Sequence, residues 1–216
     1  MDEVKGHAAF AAVWDWATKH EPRAERRLRR EATRKVAGRV LELGAGVGAN
    51  WPYLPGDIDY IGIEPDPHML ERARKRAVSL GREFALEPAR AEQLPFDGKT
   101  FDTVLVTLTL CSVQDPTKAL SEAYRVLKPG GALVFVEHVR PEGWLSGRLA
   151  DAITPAWRRV AGGCHPNRRT GLTIVAAGLE IQEMTRQRVN GLPMIAGTAL
   201  KPLLGPAEAA AGISGK

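Results

Sequence analysis

From residue 39 onward, short apolar runs that end in glycine or an acidic residue alternate with longer stretches of helical character. This alternation is typical of β-α-β units, in which helices cover a mainly parallel sheet. The run TVLVTLTL at 103–110 has few polar positions, so both faces of its strand should be buried, as they are in parallel sheets. The sequence therefore predicts an α/β fold.

The apolar runs place five strands, at 40–43, 60–63, 83–87, 101–108 and 132–137. Helices are predicted near 66–81 and 116–128, and Pro129-Gly130-Gly131 should end the second of them. An irregular stretch should follow from Arg140, and after it a helix over 172–177 and strands over 179–188 and 194–200. The last two strands are close enough in sequence to form a hairpin, so one of them should run antiparallel.

The N-terminal region has a different pattern. Residues 7–34 are predicted to form two helices separated at Glu21-Pro22. The first helix should present one apolar face, formed by Phe10, Val13, Trp14 and Ala17. A length of 216 residues suits a single domain. We therefore expect an N-terminal helical cap over 1–36 and one main domain over 37–216.

The net charge is concentrated in one segment. Residues 23–35 contain seven Lys or Arg and two Glu, an excess of five that equals the formal net charge of +5. An exposed helix with pairs such as Glu31 and Lys35 is one explanation. The alternatives are peripheral contact with an anionic membrane or attraction of an anionic substrate. Nucleic acid is not predicted as a partner, because no aromatic residues are interleaved with these charges.

The expected location follows from the lack of a membrane-spanning run and of a signal peptide pattern in the sequence. No apolar run approaches the roughly 18 residues that span a bilayer, and the first ten residues do not have the order of a signal peptide. A cytoplasmic location is therefore expected.

Cys111 and Cys164 are far apart and show no CxxC or His-rich spacing, so we predict two free thiols, with neither a disulfide nor a metal site.

The strongest local signal is VLELGAGVGAN at 40–50, where a strand leads directly into Gly44, Gly46 and Gly48. Glycines there let the backbone turn sharply and approach a ligand closely. The spacing is GxGxG, whereas dinucleotide-binding enzymes usually show GxGxxG before a helix that binds a pyrophosphate. S-adenosylmethionine has no phosphate, so this pattern favours it over a nicotinamide cofactor.

A second signal, IGIEPD at 61–66, ends the next strand with an acid. A carboxylate at Glu64 could accept hydrogen bonds from both hydroxyls of a ribose. Its alternative role is to cap the following helix, which Asp66 could do equally well. Met69, one turn into that helix, could lie against adenine or simply pack in the core. After the third strand, Ala91 and Glu92 could meet the adenine amino group.

In order and spacing, VLELGAGVGAN, IGIEPD, AEQLPF, FDTVLVTLTLCSV and RVLKPGGALVFVEH resemble the class I S-adenosylmethionine-dependent methyltransferases over about residues 38–140. The resemblance implies a Rossmann-like three-layer sandwich with a seven-stranded, mostly parallel sheet whose last strand is antiparallel. It also implies S-adenosylmethionine as cofactor and S-adenosylhomocysteine as product. The implied contacts are Glu42, Gly44, Gly46 and Asn50 around the methionine moiety, Glu64 and Pro65 at the ribose, Met69, Ala91, Glu92 and Gln93 near adenine, and Thr107, Leu108 and Cys111 beneath the sulfonium.

A closer resemblance extends to residue 171. TLTLCSVQDP, FVEHV and DAITPAWRRVAGGCHPNRRTG are similar to the small thiol S-methyltransferases of animal microsomes and their bacterial relatives. Those animal proteins begin with a membrane-anchoring apolar helix, which residues 7–35 replace here, so permanent anchoring is not implied. The resemblance implies methyl transfer to a small-molecule acceptor and suggests a thiol.

Other acceptors and other classes of protein stay open at this point. They are O-, N- or C-methylation of a natural product, a quinone or a phospholipid amine, and a catalytically silent cofactor-binding partner protein. A nicotinamide dehydrogenase is a third alternative. It is weakened by the glycine spacing and by the lack of a recognisable hydride-transfer set.

Two later clusters could serve the acceptor. Glu137-His138 ends the fifth strand, and the segment CHPNR begins at Cys164. Removing a proton from a thiol, amine or phenol calls for a nearby base. We expect His138 or His165 to be that base, although a structural hydrogen bond is the alternative for each. The candidate acceptor-binding residues are Trp14, Cys164 and Arg168, the last as a cation that steers an anion.

Overall fold

The protein is described by a computed structural model over residues 6–204. Its helices are α1 (Ala8–Lys19), α2 (Arg23–Thr33), α3 (Pro67–Ser79), α4 (Pro116–Val126), α5 (Trp144–Val160) and α6 (Thr170–Ala176). Its strands are β1 (Arg39–Leu43), β2 (Asp59–Ile63), β3 (Ala85–Glu87), β4 (Phe101–Thr107), β5 (Leu127–His138), β6 (Glu180–Val189) and β7 (Leu192–Leu200). A single 3₁₀ turn, Trp51–Tyr53, lies between β1 and β2.

The seven strands form one sheet in the order β3-β2-β1-β4-β5-β7-β6. Neighbours from β3 to β5 are parallel, whereas β7 is antiparallel to both β5 and β6. The tight turn between β6 and β7 is made by Asn190 and Gly191, which both have positive φ. The predicted mostly parallel sheet, its antiparallel last strand and the hairpin are confirmed.

Alternate residues of the central strands face opposite helical layers. Val104 and Val106 of β4 pack in the core that contains the buried residues of α4 and Ile174 of α6. Leu105 packs in the core on the other side. That core contains Leu28 and Ala32 of α2 and Ala73 and Ala77 of α3. The sheet is therefore the middle layer of a three-layer sandwich, as expected.

Chain order reverses beside β1, because β2 lies on one side of this strand and β4 on the other. In open α/β sheets, ligands bind at the carboxyl ends of the strands at such a reversal. The predicted cofactor residues lie at or after the carboxyl ends of β1, β2, β3 and β4.

The N-terminal helices pack against this framework. Leu28 and Ala32 of α2 are buried in the same core as Val40 and Leu105 of the sheet. In α1, the prediction for Val13 is wrong, because 62% of it is exposed. The outer limits of the two predicted units, residues 1 and 216, lie outside the described residues.

Two further expectations are corrected. The stretch after Arg140 is not irregular throughout, because it contains α5. Only Gly147 and Thr154 of α5 are buried, and Pro155 lies inside it, so the sequence carries no periodic apolar face there. Strand β5 also begins at Leu127, before the predicted start at 132, and the pairing register between β4 and β5 shifts near its beginning. Among the helices of residues 6–204, none has the length and apolar content to cross a bilayer.

Candidate active site

The glycine-rich turn after β1 contains three glycines with positive φ, a backbone conformation that residues with a side chain rarely adopt. A Cβ on Gly44 would lie 2.5 Å from Thr109 Oγ1, and one on Gly48 would lie 2.4 Å from the Trp51 ring, so these two glycines permit close packing. At Gly46 the nearest neighbours would be the Trp14 indole nitrogen at 3.8 Å and a backbone oxygen at 3.9 Å. The Gly46 backbone therefore faces a ligand-accessible side of the turn, next to Trp14.

Glu64 follows β2 and points toward this turn. Its carboxylate accepts hydrogen bonds from the Gly46 N–H at 3.0 Å and the Asp66 N–H at 2.9 Å. Burial raises the pKa of the Glu64 carboxyl to about 7. The capping role belongs to Asp66, whose side chain accepts from the His68 and Met69 N–H groups at the start of α3. Glu64 is thus not needed as a helix cap and remains a candidate for the ribose.

A buried polar network joins β1, the glycine-rich turn and β4. The Asn50 amide donates to Glu42 at 2.6 Å and to Thr107 Oγ1 at 2.8 Å. Glu42 also accepts a short hydrogen bond from the Tyr60 hydroxyl. Burial outweighs these bonds and raises the pKa of Glu42 to about 7. The structure therefore brings together Glu42 and Asn50, both predicted at the methionine moiety, with Thr107, which is predicted beneath the sulfonium.

Arg29 completes this network and was missed by the sequence analysis. Its guanidinium donates to Asn50 Oδ1 at 3.1 Å and Thr107 Oγ1 at 3.2 Å, and it pairs with Glu21 at 2.8 Å. Only 2% of Arg29 is exposed, whereas the other six basic residues of 23–35 are exposed. A usable signal was its place beside Leu28 and one turn before Ala32, on the apolar side of α2.

These groups match the functional groups of S-adenosylmethionine. A cofactor carboxylate needs a cation, which Arg29 offers, and a cofactor ammonium needs an acceptor, which Glu42 offers. The Glu64 carboxylate has acceptor capacity for a ribose diol. The donor set therefore fits the cofactor that the glycine spacing predicted.

The loop after β4 is held by a carboxylate whose role the sequence analysis did not identify. Glu137, fully buried at the end of β5, accepts from the N–H groups of Thr109 and Leu110 at 2.8 Å each and of Cys111 at 3.0 Å. Leu108 begins this loop with a φ of +56°. Glu137 thus fixes the backbone that is predicted to lie beneath the sulfonium.

The predicted adenine side is less open. Glu92 accepts from the backbone N–H groups of Gln114 and Asp115, at 2.8 and 3.2 Å. Ala91 is buried in the core, and Met69 packs with Ala11 and Val47. The exposed Gln93 side chain makes no hydrogen bond within residues 6–204, and Pro65 is half-buried. The carboxylate of Glu92 is thus engaged in shaping the loop before α4.

On the acceptor side, three residues that are distant in sequence meet. The side-chain ligand atoms of Cys111, His138 and Cys164 all lie within 4.8 Å of one another. Cys164 Sγ is 3.7 Å from His138 Nδ1. A hydrogen bond from the Cys111 thiol lowers the pKa of Cys164 to about 5, and His138 adds to this effect against the opposing effect of burial. Burial lowers the pKa of His138, but the Cys164 sulfur outweighs it and the net shift is upward.

Two neighbouring residues differ from expectation in their contacts. The guanidinium of Arg168 donates to the carbonyl oxygens of Leu110 and Val113, the latter at 2.7 Å, so it clamps the loop after β4. The backbone N–H of His165 donates to the Cys111 carbonyl at 2.7 Å. Within residues 6–204, the buried Nδ1 of His165 has no hydrogen-bond partner.

A family model described as a methyltransferase domain matches residues 41–135. Human thiol S-methyltransferase TMT1B is 36% identical over 72% of this chain and 65% of its own length, so the chain spans less than two thirds of that relative. Phosphatidylethanolamine N-methyltransferase of Cereibacter sphaeroides is 30% identical over 89% of this chain and 95% of its own length. A crystal structure of a SAM-dependent methyltransferase from Aquifex aeolicus has a TM-score of 0.67 at 18% identity, covering 91% of this chain and 100% of that one, which indicates a shared fold.

Proposed function

The chain belongs to the S-adenosylmethionine-dependent methyltransferase family, and we propose that it transfers the methyl group of this cofactor to a small thiol. The observation that carries the thiol assignment is the environment of Cys164. There, a sulfur atom beside the carboxyl ends of β4 and β5 has a pKa lowered to about 5. The His138 ring, 3.7 Å from that sulfur, is a group that stabilises a thiolate beside it, as transfer to a thiol acceptor requires. The 36% identity to TMT1B supports the same acceptor class.

S-adenosylmethionine supplies an electrophilic methyl group on a sulfonium. The protein's task is then to hold the acceptor in line with the bond that breaks and to keep the acceptor deprotonated. We assign cofactor binding to Arg29, Glu42 and Asn50 at the methionine end and to Glu64 at the ribose. Glu137 shapes the loop between cofactor and acceptor through its three backbone hydrogen bonds.

We assign the proton acceptor role to His165. The His138 ring already faces the Cys164 sulfur, whereas the His165 ring has a nitrogen without a partner within the described residues. This choice separates the two histidines that the sequence analysis left equivalent.

The test is a methyl-transfer screen of the purified protein over small thiols, phenols, amines and phospholipid vesicles, with cofactor affinity measured on the same sample. We expect turnover on thiols. Replacing His165 with Gln should lower kcat by about 10²–10⁴-fold at neutral pH and leave cofactor affinity unchanged. The rate of this variant should recover as the pH approaches the pKa of the acceptor thiol, because a preformed thiolate needs no base. Cofactor binding without turnover on any thiol would contradict the assignment.

A second candidate acceptor is a phospholipid amine, which one surface favours. Trp144, Leu145, Leu149 and Ile153 of α5 are exposed, and the same helix carries Arg148, Arg158 and Arg159. Apolar and basic side chains together on one helix suit the surface of an anionic membrane. The relative that matches over 95% of its length is named as a phosphatidylethanolamine N-methyltransferase.

Segment 23–35 could add to such a membrane contact through its exposed cations, three of which are paired. Arg26 pairs with Glu21 at 4.0 Å. Arg27 pairs with Glu31, and Lys35 pairs with Glu183 in place of the Glu31 partner suggested by sequence spacing. Vesicle flotation at low and high salt tests this candidate. Leu145→Asp with Leu149→Asp should abolish flotation, whereas Val78→Asp, at an exposed apolar site on α3, should not. Equal flotation of both variants would reject α5 as the contact.

A further inference from the structure

We propose that Cys111, His138 and Cys164 form a binding site for a thiophilic metal ion, with Zn²⁺ as the ion the donor set suits best. The sequence predicted no metal, because the two cysteines lie 53 positions apart and no ligand spacing is recognisable. The fold supplies what spacing does not. Cys111 lies after β4, His138 ends β5, and Cys164 follows α5, so three elements converge on one point.

The distances are close to those of a metal site. Tetrahedral zinc with Zn–S near 2.3 Å and Zn–N near 2.0–2.1 Å places neighbouring ligand atoms roughly 3.5–3.8 Å apart. The distance from Cys164 Sγ to His138 Nδ1 is already 3.7 Å. All three ligand atoms lie within 4.8 Å of one another, so closing around an ion needs movements of about 1 Å.

The donor chemistry is selective. Two sulfurs and one imidazole nitrogen are borderline-soft ligands, which favour zinc over magnesium or calcium. Two thiolates and a neutral imidazole would balance the charge of a divalent ion. Both cysteines are buried and unbridged, so an ion there would be shielded from competing water.

The ligand positions are braced by hydrogen bonds that would survive metal binding. The Cys111 backbone donates to Glu137 and accepts from the His165 N–H, which ties the loop of Cys111 to the loop of Cys164. Gly162 and Gly163, both with positive φ, make the tight turn that brings Cys164 back toward the sheet. Outer partners that hold ligands in place are a general feature of metal sites.

Three protein ligands leave the fourth tetrahedral position open, as in catalytic zinc sites. An acceptor thiol could occupy that position as a thiolate. This last step rests on the proposed thiol function, whereas the metal site itself does not.

The test uses the tag-free protein, treated with a chelator and then titrated with Zn²⁺ and, separately, Co²⁺ under reducing conditions without cofactor. We expect one Zn²⁺ per chain and a thiolate-to-cobalt charge-transfer absorption. Cys164→Ser and His138→Gln should each weaken Zn²⁺ binding by more than the roughly 10–100-fold that outer-shell changes cost. His165→Gln is the matched control and should bind Zn²⁺ like the wild type, since His165 lies outside the cluster.

Wild-type protein that binds no Zn²⁺, or whose Co²⁺ spectrum lacks thiolate absorption, would overturn the proposal without any variant. Equal Zn²⁺ affinity in the wild type and Cys164→Ser would do the same. Circular dichroism verifies that each variant is folded. Cofactor affinity is measured in a separate titration of the same zinc-free wild type, so a failure of the proposed methyl transfer and a failure of the metal site give different results.

Discussion

At the scale of single residues, Arg29 shows how burial changes the meaning of a charge. Six basic residues of the same segment are exposed, but Arg29 lies among Glu21, Asn50 and Thr107. A buried guanidinium with several acceptors is held in one orientation, so a donor that it has left over points in a fixed direction. Its position predicts a part in cofactor binding that total charge could not indicate.

Replacing Arg29 with Ala should weaken S-adenosylmethionine binding by roughly 1.5–3 kcal/mol, the range for hydrogen bonds to a charged group. It should also destabilise the fold, because buried Glu21 would lose the nearest of its partners, the Arg29 guanidinium at 2.8 Å. Arg29→Lys keeps the charge and should retain part of the affinity. Isothermal titration measures these effects, with exposed Arg34→Ala as control. Equal affinities for the Arg29→Ala and Arg34→Ala proteins would contradict the assignment.

Glu64→Ala should weaken cofactor binding by a similar amount, roughly 1.5–3 kcal/mol, if its carboxylate binds the ribose hydroxyls. Asp66→Ala is a useful comparison, because Asp66 caps α3 and its loss should lower stability by about 0.5–2 kcal/mol. Titration together with thermal unfolding separates the two effects. An unchanged affinity in folded Glu64→Ala protein would remove Glu64 from the ribose site.

At the scale of elements, the strands were predictable because burial on both faces leaves continuous apolar runs, as in 103–110. Helix α5 was not predictable, since only two of its 17 residues are buried and no apolar period marks it. The early start of β5 was hidden by Pro129 and Gly130, which usually end elements. The starts of α3 and α4 are marked in the sequence by capping residues, because the side chains of Asp66 and Asp115 accept hydrogen bonds from the first N–H groups of these helices.

The turn between β6 and β7 offers a clean test of backbone strain. A Cβ on Gly191 would meet nothing within 4 Å, but Gly191 has a φ of +81°. Gly191→Ala should therefore destabilise the protein by about 1–2 kcal/mol through conformation alone. Gly56 also faces open space and does not have a φ in this region, so Gly56→Ala should be nearly neutral. Urea unfolding of both variants measures the difference, and equal stabilities would reject the explanation.

At the scale of the whole molecule, the sequence indicated the layered sheet and the edge where the site lies. Local motifs predict where the cofactor side lies, because Gly44, Gly46 and Glu64 follow two adjacent strands. The cluster of Cys111, His138 and Cys164 could not be predicted, since Cys111 and Cys164 meet only after the chain has passed through β5 and α5. Contacts between segments so far apart depend on tertiary packing and leave no local pattern.

The buried acids predict an unusual pH dependence of stability. Burial raises the pKa of Glu42, Glu64 and Glu137 from 4.5 to about 7, so between these values the folded protein holds protons that the unfolded chain has released. Stability should therefore fall as pH rises through this window. Cys164 acts in the opposite direction, because its pKa falls from 9.0 to about 5, but it is one group against three.

Urea unfolding of the cofactor-free protein between pH 5.5 and 7.5, roughly spanning that window, measures this dependence. We expect the free energy of unfolding to be larger at the acidic end. Glu42→Gln, which cannot ionise, should show a shallower slope than the wild type. A wild-type stability that increases toward pH 7.5 would show that these carboxyls are ionised in the folded state.

The position of Arg29 also couples cofactor binding to the docking of α2 on the sheet. The residue comes from the second helix of the chain, yet its partners Asn50 and Thr107 belong to the sheet domain. If Arg29 binds the cofactor, occupancy of the site and docking of α2 are linked equilibria, and each must favour the other by the same free energy. A solution condition that detaches α2 from the sheet would then release the cofactor, and a saturating cofactor would hold α2 in place.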